Sequence, residues 1–388
     1  DFPRPPVFIP DPAYEYSGSW DAFITKLTPD FLTQYLLSIS KGGTGEGTVT
    51  SLPTGIDCGS TCQKPFNYNL KIKLTAAPKE NSVFDETSWT GGCIVEDPEN
   101  KPWECTATML SDLNIGVQFI LKTYTIQATA NTGGTISPTG SVTVQYGASQ
   151  GFAITPDADS YLADVIVDGS SVTPAPPKYG TYIYTFNNVT SNRTIQAVFR
   201  PNPVIQATSD QGGAILPTGA VMVQYGANLS FTITPNAGYA LVDLLVNGES
   251  KLSAPKFEAY IYTMSNVTTD GTIRAVFRSN PVIQATANTG GTISPDGAVT
   301  VQYDGSQSFA ITPGAGFYLA DVIVDGVSVS PTPPKYGTYP YTFTNVTSDR
   351  TIRAVFAPNP TIQATADQGG TILPTGAVMV QYGANLSF

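Results

Sequence analysis

Cys58, Cys62, Cys93 and Cys105 are the residues whose type and spacing most invite chemistry. Four cysteines make either a zinc site or two disulfides. Zinc fits poorly, because 30 residues separate Cys62 from Cys93 and 11 separate Cys93 from Cys105, and the chain has no His to complete a mixed site. Disulfides are the favoured reading, and they place the protein in an oxidising compartment. Three connectivities are open to four cysteines. Cys58 with Cys62 would close a tight turn and Cys93 with Cys105 a hairpin-like excursion, so local closure suits the spacing. The absence of His also excludes His-based triads and imidazole proton shuttles.

Asp164 with Asp168, and Asp321 with Asp325, are candidate calcium pairs. A calcium site needs six or more oxygens, and Asp168-Gly169 already reads as a hairpin turn. No metal or cofactor is therefore expected. Lys178 and Lys335 are candidates for isopeptide links, but a single Lys in a Pro-rich loop reads as solvated. Tyr179, Tyr182 and Tyr184, echoed at Tyr336, Tyr339 and Tyr341, form a candidate aromatic surface for glycan. Tyr182 and Tyr184 share one strand face, so core packing, or packing between modules or subunits, competes with that reading. Asn188, Asn192, Asn228, Asn266, Asn345 and Asn385 lie in glycosylation sequons. The recurring Asn-Val-Thr is better read as a β-corner with Asn making the turn.

The elements that must hold these residues are repeats. Ile126-Gln127-Ala128-Thr129 recurs at Ile205, Ile283 and Ile362, with offsets of 79, 78 and 79 residues. A fixed period signifies an array of modules rather than one large core. The doubled period is sharper still. Thr218 to Phe231 is identical to Thr375 to Phe388, and copies one and three share Pro-Pro-Lys-Tyr-Gly-Thr-Tyr, at Pro176 to Tyr182 and Pro333 to Tyr339, which copy two lacks. The order is odd, even, odd, even. Within a copy, alternating segments such as Tyr124 to Thr129 and Val142 to Tyr146 are broken by Gly-Gly and Asp-Gly turns. No ten-residue segment has a helical period. Each copy therefore reads as an all-β module of six or seven strands, near the lower size limit for a self-sufficient core.

Formal charge is −11 and the pI about 4.4. A nucleic-acid partner is excluded on that ground, since phosphate binding needs a positive field. No apolar run reaches the length of a membrane span. The chain opens at Asp1, as a chain with a removed signal peptide would, or an internal fragment. Residues 1–34 form a Pro-rich arm bearing Phe2, Val7, Phe8, Ile9, Tyr14, Tyr16 and Trp20, too apolar for a solvated tail. Thr28-Pro29 reads as the start of a short helix with Phe31, Leu32, Tyr35 and Leu36 on one face. The domains are then the arm at 1–34, a cysteine-bearing β module at 35–123, β repeats at 124–202, 203–280 and 281–359, and the first half of a fourth repeat at 360–388. Junctions such as Arg200-Pro201-Asn202-Pro203 carry prolines, which fix φ and stiffen a joint. A tandem array of small sandwich-like modules in an elongated rod is expected.

The phrases Gly-Gly-x-Ile, Val-x-Tyr-Gly, Ile-Thr-Pro, Val-Asp-Gly, Asn-Val-Thr and Ala-Val-Phe, carried by Gly133 to Phe199, Gly290 to Phe356 and, with substitutions, Gly212 to Phe277, resemble the divergent internalin-type B-repeats of bacterial surface proteins. The first module resembles a sister type through Ile56-Asp57-Cys58 and Trp89 to Cys93. The resemblance implies pairing of the first two and of the last two cysteines, and a secreted stalk, spacer or adhesive segment with no catalytic residues. The expected function is that of a structural subunit of an extracellular fibre, filament or surface stalk, not an enzyme. The alternatives are an adhesin binding glycan or a cell surface, and the spacer of a larger secreted protein. The fourth repeat stops halfway, so either the chain continues beyond Phe388 or a neighbour completes it; on the second reading other copies of the chain are the expected partners, assembling head-to-tail with the arm supplying at most an edge strand.

Overall fold

The computed structural model describes residues 33–59, 62–172, 179–329 and 336–388. The arm residues Phe2, Val7, Phe8, Ile9, Tyr14, Tyr16 and Trp20, and both Lys178 and Lys335, lie outside the described residues. Those described are all-β, with no helix among them, and are arranged as small sheets in tandem. Two compact units are distinguished. One runs to Ala128 and adds Pro138–Phe152 and Tyr184–Ile195; the other holds Thr129–Ser137, Ala153–Ile183 and Gln196–Phe388.

The module over 204–281 serves as the type. Period-two alternation makes its strands: Ile205 and Ala207 point inward from Val204–Ser209, and Ile273, Ala275 and Phe277 from Gly271–Ser279. Five strands form one sheet in the order Gly219–Met222, Val204–Ser209, Gly271–Ser279, Tyr239–Val246 and Glu249–Ser250. Val204–Ser209 and Gly271–Ser279 run parallel, Ala207 opposite Ile273; the other pairs are antiparallel. A three-stranded sheet of Gly213–Leu216, Leu229–Pro235 and Tyr260–Met264 covers the opposite side. Phe231, Ile233, Leu241, Leu244, Ile273 and Phe277 fill the space between. The module has eight strand segments where six or seven were expected, one of them being the two-residue hairpin partner Glu249–Ser250.

Local sequence explains the irregular points. In Tyr239–Val246 both Leu241 and Leu244, three positions apart, reach the core, because the register against Gly271–Ser279 shifts between Leu241 and Asp243. A bulge of this kind turns a continuous apolar run into a workable strand. The hairpin after it turns through Asn247 and Gly248, with φ of 51° and 83°, and Asp325-Gly326 does the same at 49° and 79°. Two successive positive φ values are what a type I′ turn requires, hence Asx-Gly. Gly213 lies against the ring of Phe277, where a Cβ would collide with it, as Gly291 lies against Phe356. That contact ties the Gly-Gly phrase to the Ala-Val-Phe phrase some 60 residues later.

The module over 281–359 repeats these pairings, including the parallel one, Ala285 opposite Ile352. The copy over 124–202 has the same succession of strands. Thr361–Ala364 pairs with Gly376–Met379 in the register of the corresponding strands at 204–222.

The first module also packs two sheets, Gln63–Asn67, Gln34–Gly42, Leu113–Leu121 and Ser82–Phe84 against Gly47–Leu52, Lys71–Pro78 and Glu104–Thr108. Tyr35 and Leu36 belong to strand Gln34–Gly42, opposite Phe66 and Pro65, not to the helix that Thr28-Pro29 suggested. Cross-strand pairing decides their conformation where a capping signal is a weak prior.

Candidate functional site

Cys58 and Cys62 are bonded with Cα atoms 4.4 Å apart, and Cys93 and Cys105 with Cα atoms 5.6 Å apart. Cys58 and Cys105 are buried in the core of the first module. Lys41 lies beside the first bridge and donates through Nζ to the carbonyl oxygens of Cys58, at 2.7 Å, and Gly47, at 3.1 Å. These bridges fasten loops to a core and leave no free thiol among the described residues.

The carboxylates do not converge. Asp164 accepts from the Ser171 hydroxyl and the Val165 backbone N–H, and Asp321 from the Ser328 hydroxyl. Asp325 accepts from the Thr351 backbone N–H and pairs with Arg350. Asp164 and Asp321 are committed within their own hairpins, and Asp325 to the neighbouring strand Arg350–Pro358. Asn188, Asn266 and Asn345 adopt φ of 52°, 50° and 53°, the left-handed region that Asn tolerates best after Gly.

The six candidate tyrosines separate into two groups. Tyr339 and Tyr341 pack against the core of their module, Tyr341 in edge contact with Phe343 at 5.1 Å, and Tyr184 meets Phe186 at the same distance. Tyr182 alternates with exposed Ile183 on that same inward side. Tyr179 and Tyr336 instead reach the proline junctions. The Tyr179 hydroxyl donates to Asn202 Oδ1 at 2.8 Å, and the Tyr336 hydroxyl to Asn359 Oδ1 at 3.0 Å. Asn202 is buried, and its side-chain oxygen also accepts from the Tyr225 backbone N–H. Beside this bond the Tyr161 ring lies 4.5 Å from the Tyr225 ring, and Tyr318 stacks on Tyr382 at 4.7 Å with 22° between planes. Tyr161, Tyr179, Asn202, Tyr225, Tyr318, Tyr336, Asn359 and Tyr382 all belong to the second compact unit. Tyr161, Tyr225, Tyr318, Tyr382, Asn202 and Asn359 were not singled out from the sequence. Their signal was the copy-to-copy pattern at each position.

Burial holds the Tyr161 hydroxyl above the usual tyrosine range, the neighbouring Tyr225 adds to it, and Arg200 partly opposes it. Burial likewise raises Tyr179, against the lowering effect of the Tyr225 backbone hydrogen bond. A raised phenol pKa favours the neutral form in the folded state. The associated stability is complete below the unfolded value of about 10 and is lost as pH climbs through the folded values. Spectrophotometric titration at the phenolate band is therefore expected to show a late-ionising class, of which Tyr225→Ala moves the Tyr161 part back toward the ordinary range. A single class in the unaltered protein would contradict this.

The family model of the divergent InlB B-repeat domain matches residues 204–281. That module is a divergent InlB B-repeat. Its flanking copies share the B-repeat phrases, and the 281–359 copy shares its strand register. No curated protein matches the chain. Among solved structures, the chain is similar to the Bacillus anthracis TIE protein at 7% identity, covering 80% of this chain and 65% of that one, with a TM-score of 0.26. The chain thus spans just under two thirds of that protein's resolved length. It is also similar to SGBP-B of the Bacteroides ovatus mixed-linkage glucan utilization locus, solved with a mixed-linkage heptasaccharide, at 11% identity, covering 86% and 96%, with a TM-score of 0.12. The major pilin from Streptococcus pyogenes follows at 12% identity, covering 63% and 97%, with a TM-score of 0.11. Likeness at these TM-scores carries no argument about what the B-repeats do. No helix among the described residues is long and apolar enough to cross a membrane.

Proposed function

We propose that the chain is a structural, non-enzymatic part of an extracellular surface protein, a stalk or fibre in which B-repeats supply length. The supporting observation is that the 204–281 and 281–359 modules each bury a core of their own, with the same sheet order and register. Such units can be multiplied without redesigning the fold. Two disulfides in the first module fit an oxidising location. Head-to-tail assembly of copies, with the arm at 1–34 as one contact, belongs to this proposal. Immunogold labelling of intact cells with antibody to the repeats is expected to mark the outer surface, and negative-stain microscopy of native material to show filaments. Label confined to the cell interior would overturn the location, and dispersed single particles the assembly.

An adhesive role has one observation in its favour. A groove of about 370 Å³ in the first module is lined by Pro78, Val83, Phe84, Pro102 and Trp103 with Glu86 at its side. Trp103 is 41% exposed, and an open aromatic face beside a carboxylate suits a sugar ring. Binding on a glycan array that Trp103→Ala abolishes would establish this second role; an array without binding would remove it.

A further inference from the structure

The tyrosine contacts at the junctions are not the same at every junction. Each junction has one half in common. Asn202, Asn280 and Asn359 each donate a backbone N–H to the preceding module, at 2.8, 2.8 and 2.9 Å. Asn202 and Asn280 accept from the backbone N–H of Tyr225 and Tyr303. Each following module presents the same tyrosine: Tyr225, Tyr303 or Tyr382. The other half alternates. Odd modules supply a stacking ring, Tyr161 or Tyr318, and a reaching hydroxyl, Tyr179 or Tyr336. The even module has Ala240 and Phe257 at those positions. Ala240 has no ring to stack and Phe257 no hydroxyl to donate, so among the described residues Tyr303 and Asn280 keep their backbone bond without a stacked ring or a tyrosine hydroxyl from the even module.

From this we infer that the end of each odd module is a docking surface for the even module that follows it, so that the array consists of clamped pairs joined by looser junctions. The pair coincides with the doubled period of near-identity in the sequence. An aromatic pair and a hydrogen bond each favour the closed joint by about 2- to 12-fold. The even-to-odd joint lacks both and bends first. This inference does not depend on where the protein is located.

Spin labels on equivalent outward positions test it in the full chain, whose own cysteines are paired and do not compete for label. One double variant is Ala153→Cys with Thr232→Cys, across the first odd-to-even joint. The other is Thr232→Cys with Ala310→Cys, across the even-to-odd joint. The distance distribution is expected to be narrower for the first. Tyr161→Ala should broaden it to match the second, and Ala240→Tyr with Phe257→Tyr should narrow the second. Tyr179→Phe, which keeps the ring and removes the hydroxyl, should broaden the first in part, and it covers the case in which Tyr161→Ala unfolds its module. Equal widths at the two joints of the unaltered chain, or no broadening by a folded Tyr161→Ala or Tyr179→Phe variant, would overturn the inference.

Discussion

Phe309→Ala is expected to abolish the separate unfolding transition of the 281–359 module in scanning calorimetry. Phe309 is 1% exposed and its ring meets Phe343 edge-on at 6.0 Å. Truncating a buried Phe costs about 3–5 kcal/mol, and the lost aromatic pair adds about 0.5–1.5 kcal/mol. A module of this size holds in total only about 4–12 kcal/mol. The cavity therefore removes between about a third and all of what holds the module folded. Ile261→Ser is the matched control. Ile261 is as apolar by type but 67% exposed on the outer face of the small sheet, where a change stays within about 0.5 kcal/mol. In the Phe309→Ala chain the first module, whose core is separate, should keep its transition. If the whole array lost its transitions together, the modules would not be the independent units on which the surface-stalk reading rests.

The fold was largely legible because alternation and turn chemistry agree along each copy. Ile205 and Ala207 point inward as the period predicts, and Asp325-Gly326 makes the hairpin its residue types require. Tertiary context decided the exceptions. Tyr35 and Leu36 follow a helical start signal, yet their partners across the sheet are Phe66 and Pro65. In Tyr239–Val246 the bulge before Asp243 is set by its neighbour strand, not by a local signal. The junction contacts were the least legible. Tyr161 and Tyr225 are 64 positions apart in different copies, and no local rule brings them together. Tyr179 was visible as an aromatic in a Pro-rich loop, but its partner is an Asn between two prolines, which reads as linker. The groove at Trp103 escaped notice for a similar reason. Its walls come from strand Ser82–Phe84 and from the loop before Glu104, neither of which carries a motif.

Removing the Cys93–Cys105 bridge should be the second large effect, confined to the first module. The bridge spans a sequence separation of 12, for which the chain-entropy relation gives about 2.8 kcal/mol, and the Cys58–Cys62 bridge, with a separation of 4, about 1.9 kcal/mol. Cys105 is 2% exposed near the start of strand Glu104–Thr108, which pairs with Lys71–Pro78. Its partner Cys93 holds the segment that bridges back through Ile94 to Thr106. Without the bond that segment gains freedom in the unfolded chain, while its few backbone hydrogen bonds are left to hold the edge of the sheet. The double variant Cys93→Ala with Cys105→Ala is expected to lower the melting temperature of the first module by roughly 10–20 °C, at about 4–8 °C per kcal/mol for a domain of this size. The smaller closure should cost less in proportion. The B-repeats contain no cysteine, so reductant should reproduce the shift in the first module and leave their transitions in place. A first module that melts at the same temperature with and without reductant would show that its core needs neither bridge.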